Sequence, residues 1–187
     1  MPIKPTWNER VKKGQDELKK TAVEKSEVLG IISECLKKKG IDGEALLIEP
    51  ASKNIDYKKI MDTYKTNGEG HIVWVQFVNS GHVAVVGAGK DIGFPKNEIK
   101  GTWSILSKLS DVEWDTKNLI IVPVKGLDNK SNGLKNVKNI LKCRNGVEHC
   151  IGEYLIEKKV PILNYYSHKN YSVKFWEKCE ERNYRNQ

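Results

Sequence analysis

Between Asn118 and Tyr166 the rhythm of apolar positions changes twice. Leu119-Ile-Ile-Val-Pro-Val124 is a short unbroken apolar run rich in β-branched residues, which suits a strand buried on both faces. From Asn145 to Lys159 the apolar side chains Val147, Cys150, Ile151, Tyr154 and Leu155 fall at helical spacing, and Val160-Pro-Ile-Leu-Asn164 is a second apolar run. The stretch predicts a β-loop-α-β unit. Parallel strands joined by a crossover helix place ligands at their carboxyl ends, so the loop after Val124 and the helix start near Glu148 are expected to face one cleft.

Upstream, residues 8 to 39 carry Val11, Leu18, Ala22, Leu29, Ile32 and Leu36 near helical spacing. They predict one long amphipathic helix, or two with a break near Gly30, stopped by Gly40. Glu44 to Glu49 suits a strand ending at Pro50, and Tyr57 to Lys65 a short helix. His71 to Val78 and His82 to Val86 are strand-like runs separated by Asn79-Ser80-Gly81, a spacing for a tight hairpin or for a turn before a crossover. Val83-Ala-Val-Val86 then runs into Gly87-Ala88-Gly89-Lys90-Asp91-Ile-Gly93, and a helix is predicted over Gly101 to Leu109 and another over Val173 to Cys179. Read in order, residues 82 to 164 alternate strand and helix, which predicts an α/β sandwich with a mainly parallel sheet. The expected division is an amphipathic helical segment with a possible strand over 1–68, then an α/β nucleotide-binding-like domain over 69–187.

Composition narrows this picture. The 187 residues, 39% hydrophobic and 30% charged with five tryptophans, suit one packed domain or a domain with a helical arm. No apolar run approaches the roughly 20 residues that span a bilayer, and the first residues lack the apolar core of a signal peptide. The expectation is a cytoplasmic protein without a membrane partner. Cys35, Cys143, Cys150 and Cys179 match no common zinc spacing and no secreted disulfide framework, so they read as reduced thiols.

The net charge of +8 favours polyanions, nucleotides or acidic partners. Lysine pairs and triplets at 12–13, 19–20 and 37–39 crowd the amino-terminal segment, a possible contact for nucleic acid, and Lys135, Lys138, Lys142 and Arg144 precede Glu148. Lysine stands in place of arginine almost throughout, and its point charge lacks the planar fork that reads bases, which disfavours sequence-specific DNA recognition.

Four groups of residues are candidates for chemistry. Gly87, Ala88 and Gly89, with Lys90 and Asp91, form a glycine turn after a strand, where backbone N–H groups can approach a phosphate or ribose. Their spacing is not that of the dinucleotide or Walker fingerprints. Glu148, read as lying in the first helical turn, projects onto the edge of the apolar stripe, where a carboxylate can act on a glycosidic carbon or simply complement the helix dipole. Asp128, just beyond the Leu119 strand, suits ribose hydroxyls or ordinary turn chemistry. His149 and His82 are the histidines nearest these elements and can serve as acid or base near neutral pH, or as packing residues.

Leu119-Ile-Ile-Val-Pro-Val-Lys-Gly-Leu-Asp128, Asn145-Gly-Val-Glu-His-Cys-Ile-Gly-Glu-Tyr154 and Lys159-Val-Pro-Ile-Leu163 together resemble the nucleoside 2-deoxyribosyltransferase-like families over about a quarter of the chain. TIR-type NAD-cleaving domains have a similar layout. The resemblance implies a flavodoxin-like three-layer sandwich with a mainly parallel sheet. It also implies cleavage or transfer at an N-glycosidic bond, Glu148 as the catalytic carboxylate, Asp128 at the sugar, and Gly87 to Gly89 lining the base or phosphate side. No cofactor is implied; the ligand would be a nucleoside or nucleotide, and a second subunit often completes such sites. A non-catalytic nucleotide sensor and a basic nucleic-acid-associated protein are the alternative expectations.

Overall fold

The computed structural model describes residues 6–48, 72–89, 108–109, 112–124 and 144–164. These form α1 (Trp7–Leu18), α2 (Lys25–Lys38), β1 (Leu46–Ile48), β2 (Ile72–Val78), β3 (Val83–Gly89), β4 (Trp114–Pro123) and α3 (Arg144–Glu157). The strands make one sheet in the order β1-β4-β2-β3, and each neighbouring pair is antiparallel. On the outer side of β3, Ile162 forms a parallel bridge to Val83, with the Leu163 and Asn164 N–H groups donating to the carbonyls of Val83 and Ala84 at 2.9 and 3.0 Å.

This architecture overturns the expected flavodoxin-like sandwich with its mainly parallel sheet. The deciding element is the turn at Asn79-Ser80-Gly81. Gly81 takes φ 86, its N–H donates to Val78 O at 2.8 Å, and the Val78 N–H donates to His82 O at 3.0 Å. Three residues close a hairpin but cannot carry a crossover, so β2 and β3 must run in opposite directions. The unbroken apolar run of β4 has a different cause from parallel pairing. Ile120 and Val122 point into one buried cluster and Leu119 and Ile121 into the other, because both faces of the sheet are covered.

Part of the β-loop-α-β expectation survives in altered form. β4 is antiparallel to β2 and β2 to β3, so β4 and β3 run the same way, and residue 162 is parallel to β3. The segment after α3 therefore does return parallel to β4, but two strands lie between them.

One face of the sheet is covered by α2 and α3. Val28, Ile32, Cys35 and Leu36 of α2 and Val147, Ile151 and Leu155 of α3 pack with Val73, Val75 and Phe77 of β2. At the start of α2, Lys25 pairs with Asp115 of β4 at 3.1 Å and lies 5.6 Å from the Phe77 ring centroid. On the other face Val11 and Leu18 of α1 pack against the cluster of Trp74, Ile121, Leu109 and Leu163. Gly14 permits that approach, since a Cβ there would stand 3.1 Å from Leu109 Cδ1.

The amino-terminal segment is two helices, and its break falls after Leu18 rather than at Gly30, which lies inside α2. Thr6 and Glu9 form a reciprocal capping box, with the Thr6 N–H donating to Glu9 Oε2 at 2.6 Å and the Glu9 N–H to Thr6 Oγ1 at 3.3 Å. Gly40 ends α2 as expected, in left-handed backbone with φ 63, while the Ile41 N–H closes on Leu36 O at 2.9 Å. The strand expected over 44–49 appears as β1, paired with β4. The helices expected over 57–65 and 173–179, and residues 101–107 of the one expected over 101–109, lie outside the described residues.

Candidate functional site

The register brings the ends of two strands together. Ile72, the first residue of β2, pairs with Gly89, the last of β3, and with Pro123, the last of β4. Two strand spacings separate those ends, roughly 10 Å. α3 packs over β3, and the segment that follows it returns to the beginning of β3 at Val83. The amino half of α3, with Glu148, thus faces the Gly89 end of the sheet.

Gly87, Ala88 and Gly89 are the last part of β3 rather than a loop beyond it. Gly87 is the register partner of Trp74, and the indole lies across it: a Cβ at Gly87 would come within 2.2 Å of the ring. Packing against tryptophan therefore already requires glycine at that position. Lys90, Asp91 and Asp128 lie outside the described residues.

Arg144 is already helical, so Glu148, four residues further along α3, lies beyond its first turn. The dipole contribution fades beyond the first turn, which removes the dipole account of this glutamate. Glu148 is half-buried between two buried neighbours, Val147 and His149.

His149 is 8% exposed, and burial holds its pKa below the ordinary 6.5. The folded ring is therefore neutral where an unfolded chain would begin to take up a proton. The stability this contributes is complete above about pH 6.5 and is lost as pH falls through that value toward the depressed folded one. Urea midpoints are expected to drop between pH 7.5 and pH 5.5, with a smaller drop in His149→Phe. An equal drop in both proteins would assign the pH dependence elsewhere.

His82 has a structural assignment. Its Nε2 lies 2.7 Å from Lys20 O, an acceptor, so Nε2 carries the proton; in the neutral ring Nδ1 then accepts from Ser80 Oγ at 2.8 Å. The ring ties the β2–β3 turn to the end of α1.

At the far end of the sheet from Glu148, a cavity of about 340 Å³ is lined by Glu17, Lys20, Ile156, Lys159, Val160 and Ile162. Lys20 Nζ stands 2.8 Å from both oxygens of Glu17, so those two lining charges neutralise each other, and Lys159 adds a third. On the exposed surface between α2 and α3, Glu34 pairs with Lys38 at 2.7 Å and with Lys158 at 3.2 Å. The Lys38 hydrogen bond first, then Tyr154 and Lys158, pull the Glu34 carboxyl down to about 2.

Two arrangements that sequence reasoning missed join distant positions. Asp115, its side chain 8% exposed, accepts from the Asn118 N–H and from Asn118 Nδ2 at 3.1 and 3.0 Å while pairing with Lys25. Cys35 and Cys150, 115 positions apart, bring their sulfurs to 3.7 Å. The pairings of Lys25 with Asp115 and of Cys35 with Cys150 leave no local signal in the chain. Among the described residues no three His, Cys, Asp or Glu side chains gather to hold a metal, and no helix is long and apolar enough to cross a membrane. Compared with protein-family models, with curated proteins and with solved structures, the chain matches none.

Proposed function

We propose that the protein binds a nucleotide, or another small ligand bearing phosphate, at the end of the sheet where β3, β4 and the amino half of α3 converge. The observation that carries this reading is the shared pairing of Gly89 and Pro123 with Ile72. The residues next in sequence after these two strands are those with the candidate chemistry. Lys90 and Asp91 follow β3, and residues 125–143 follow β4 with five lysines (125, 130, 135, 138 and 142) against one acidic residue, Asp128. Lysine attracts phosphate as a point charge without demanding a fixed orientation.

Calorimetry with a panel of mononucleotides at low salt is expected to find binding that weakens as salt rises. Combined Lys135→Glu, Lys138→Glu and Lys142→Glu substitution should weaken it about tenfold, near 1.4 kcal/mol. Absence of binding to every mononucleotide, or tight binding of an oligonucleotide alone, would overturn the reading.

The half-buried position of Glu148 favours a second reading, cleavage or transfer at an N-glycosidic bond with that carboxylate stabilising the glycosyl centre. Incubation with NAD and a nucleoside panel, followed by chromatography for free base, separates the two. Base release by the native protein and none by Glu148→Gln supports catalysis. Equal release by both would sink the role of Glu148, and binding without release leaves a sensor.

A further inference from the structure

We propose that Cys35 and Cys150 are a redox pair, and that hydrogen peroxide converts them to a reversible disulfide stapling α2 to α3. The two residues sit on the helices that share one face of the sheet, and both belong to its buried cluster. Their sulfurs are 3.7 Å apart, and both are free thiols. A disulfide needs about 2.05 Å, so the sulfurs must approach by ~1.7 Å. Rotation about the two Cα–Cβ bonds is the movement the disulfide calls for. The staple requires no ligand near Glu148, which lies two residues before Cys150 on the same helix.

The two cysteines are not equivalent. Cys35 is fully buried, whereas Cys150 is 4% exposed. Cys35 Sγ also lies 3.8 Å from the Cys150 carbonyl, so its S–H has two acceptors on the same residue. Donation toward Cys150, followed by burial, holds the Cys35 thiol well above its ordinary value. The same donation lowers Cys150 against the opposing effect of burial. Cys150 is therefore the sulfur that ionises first and attacks, and Cys35 is the resolving thiol.

In the first step the Cys150 thiolate attacks one peroxide oxygen; the S–O bond forms, the O–O bond breaks, and the departing hydroxide takes a proton and leaves as water. In the second, Cys35 sulfur attacks the Cys150 sulfenic acid; the S–S bond forms, the S–O bond breaks, and the hydroxyl leaves with the Cys35 proton as a second water. Two thiols are oxidised by two electrons and the peroxide is reduced to water. A small peroxide suits a site reached through local opening of the helix pair.

The test uses the full reduced chain treated with hydrogen peroxide, denatured, alkylated and mapped by mass spectrometry. The expected result is a peptide joining Cys35 to Cys150, lost on treatment with dithiothreitol and present in a Cys143→Ser, Cys179→Ser background. The cross-linked protein should also melt at a higher temperature than the reduced one, because the staple closes a long loop. In Cys35→Ser, peroxide should leave a sulfenic acid at Cys150 that dimedone captures. Recovery of both Cys35 and Cys150 as alkylated thiols while Cys143 or Cys179 oxidises would overturn the proposal, as would a cross-linked form that melts no higher. The mapping uses the native chain, so a failure of Cys35→Ser to fold does not blunt it.

Discussion

Gly87→Ala is expected to destabilise the protein by about 3 kcal/mol, the upper end for an overpacked core. The added methyl would stand 2.2, 2.4 and 2.7 Å from three atoms of the Trp74 ring. Those atoms belong to a rigid fused ring that is 3% exposed, not to the end of a flexible side chain. Trp74 Nε1 has no hydrogen-bond partner among the described residues, so packing rather than a polar tether sets the position of the indole. Urea unfolding measures the loss. In a Trp74→Leu background the same substitution should be at least about 1 kcal/mol less harmful, the coupling expected for residues in direct contact. Equal losses in both backgrounds would show that Trp74 is not what excludes the methyl group.

Ile151→Ala should remove a comparable ~3 kcal/mol, within the range for deleting a fully buried aliphatic side chain and leaving its cavity. Ile151 is 0% exposed in the cluster that joins α3 to the sheet, whereas Ile156 on the same helix only packs against the edge of that cluster. Ile156→Ala is therefore expected to lose less than half as much. The loss in Ile151→Ala should also appear as faster amide exchange along α3 with little change in β2, because α3 is held by side-chain packing and not by the strand ladder. Uniform acceleration over helix and sheet would mean that α3 has no stability of its own to lose.

The contrast between these two sites shows what periodicity can and cannot deliver. Ile151 was legible: Val147, Ile151, Tyr154 and Leu155 recur at helical spacing, and the buried side of α3 follows them. Gly87 was misread, because a glycine pair after a strand looks the same whether it begins a ligand loop or ends a strand under a tryptophan 13 positions earlier. The Gly40 stop and the Asn79-Ser80-Gly81 turn were legible because backbone sterics act over a few residues. The break after Leu18 was not, since no glycine or proline marks it. Thr6-Trp-Asn-Glu9 had the spacing of a capping box and would have located the start of α1.

The candidate site was legible only in outline. Glu148 keeps its place on α3, but a helix already formed at Arg144 puts it beyond the first turn. His82, open as an acid or base from sequence, is held between Ser80 and the Lys20 carbonyl, a partner 62 positions away.

The sequence by itself determined most of the elements: where β2 and α3 lie, the first part of β3 and the apolar half of β4, which of their side chains are apolar, and that a tight turn follows β2. Those properties follow from side-chain alternation, helical spacing and glycine sterics, all of which act locally. Tertiary structure alone decided that β4 enters the sheet beside β2, that the segment at Ile162 returns parallel to it with two strands between, and that Cys35 meets Cys150. A strand covered on both faces is equally apolar in a parallel or an antiparallel sheet, so the chain carries no local mark of its pairing partner. That choice was fixed by which faces could be buried together.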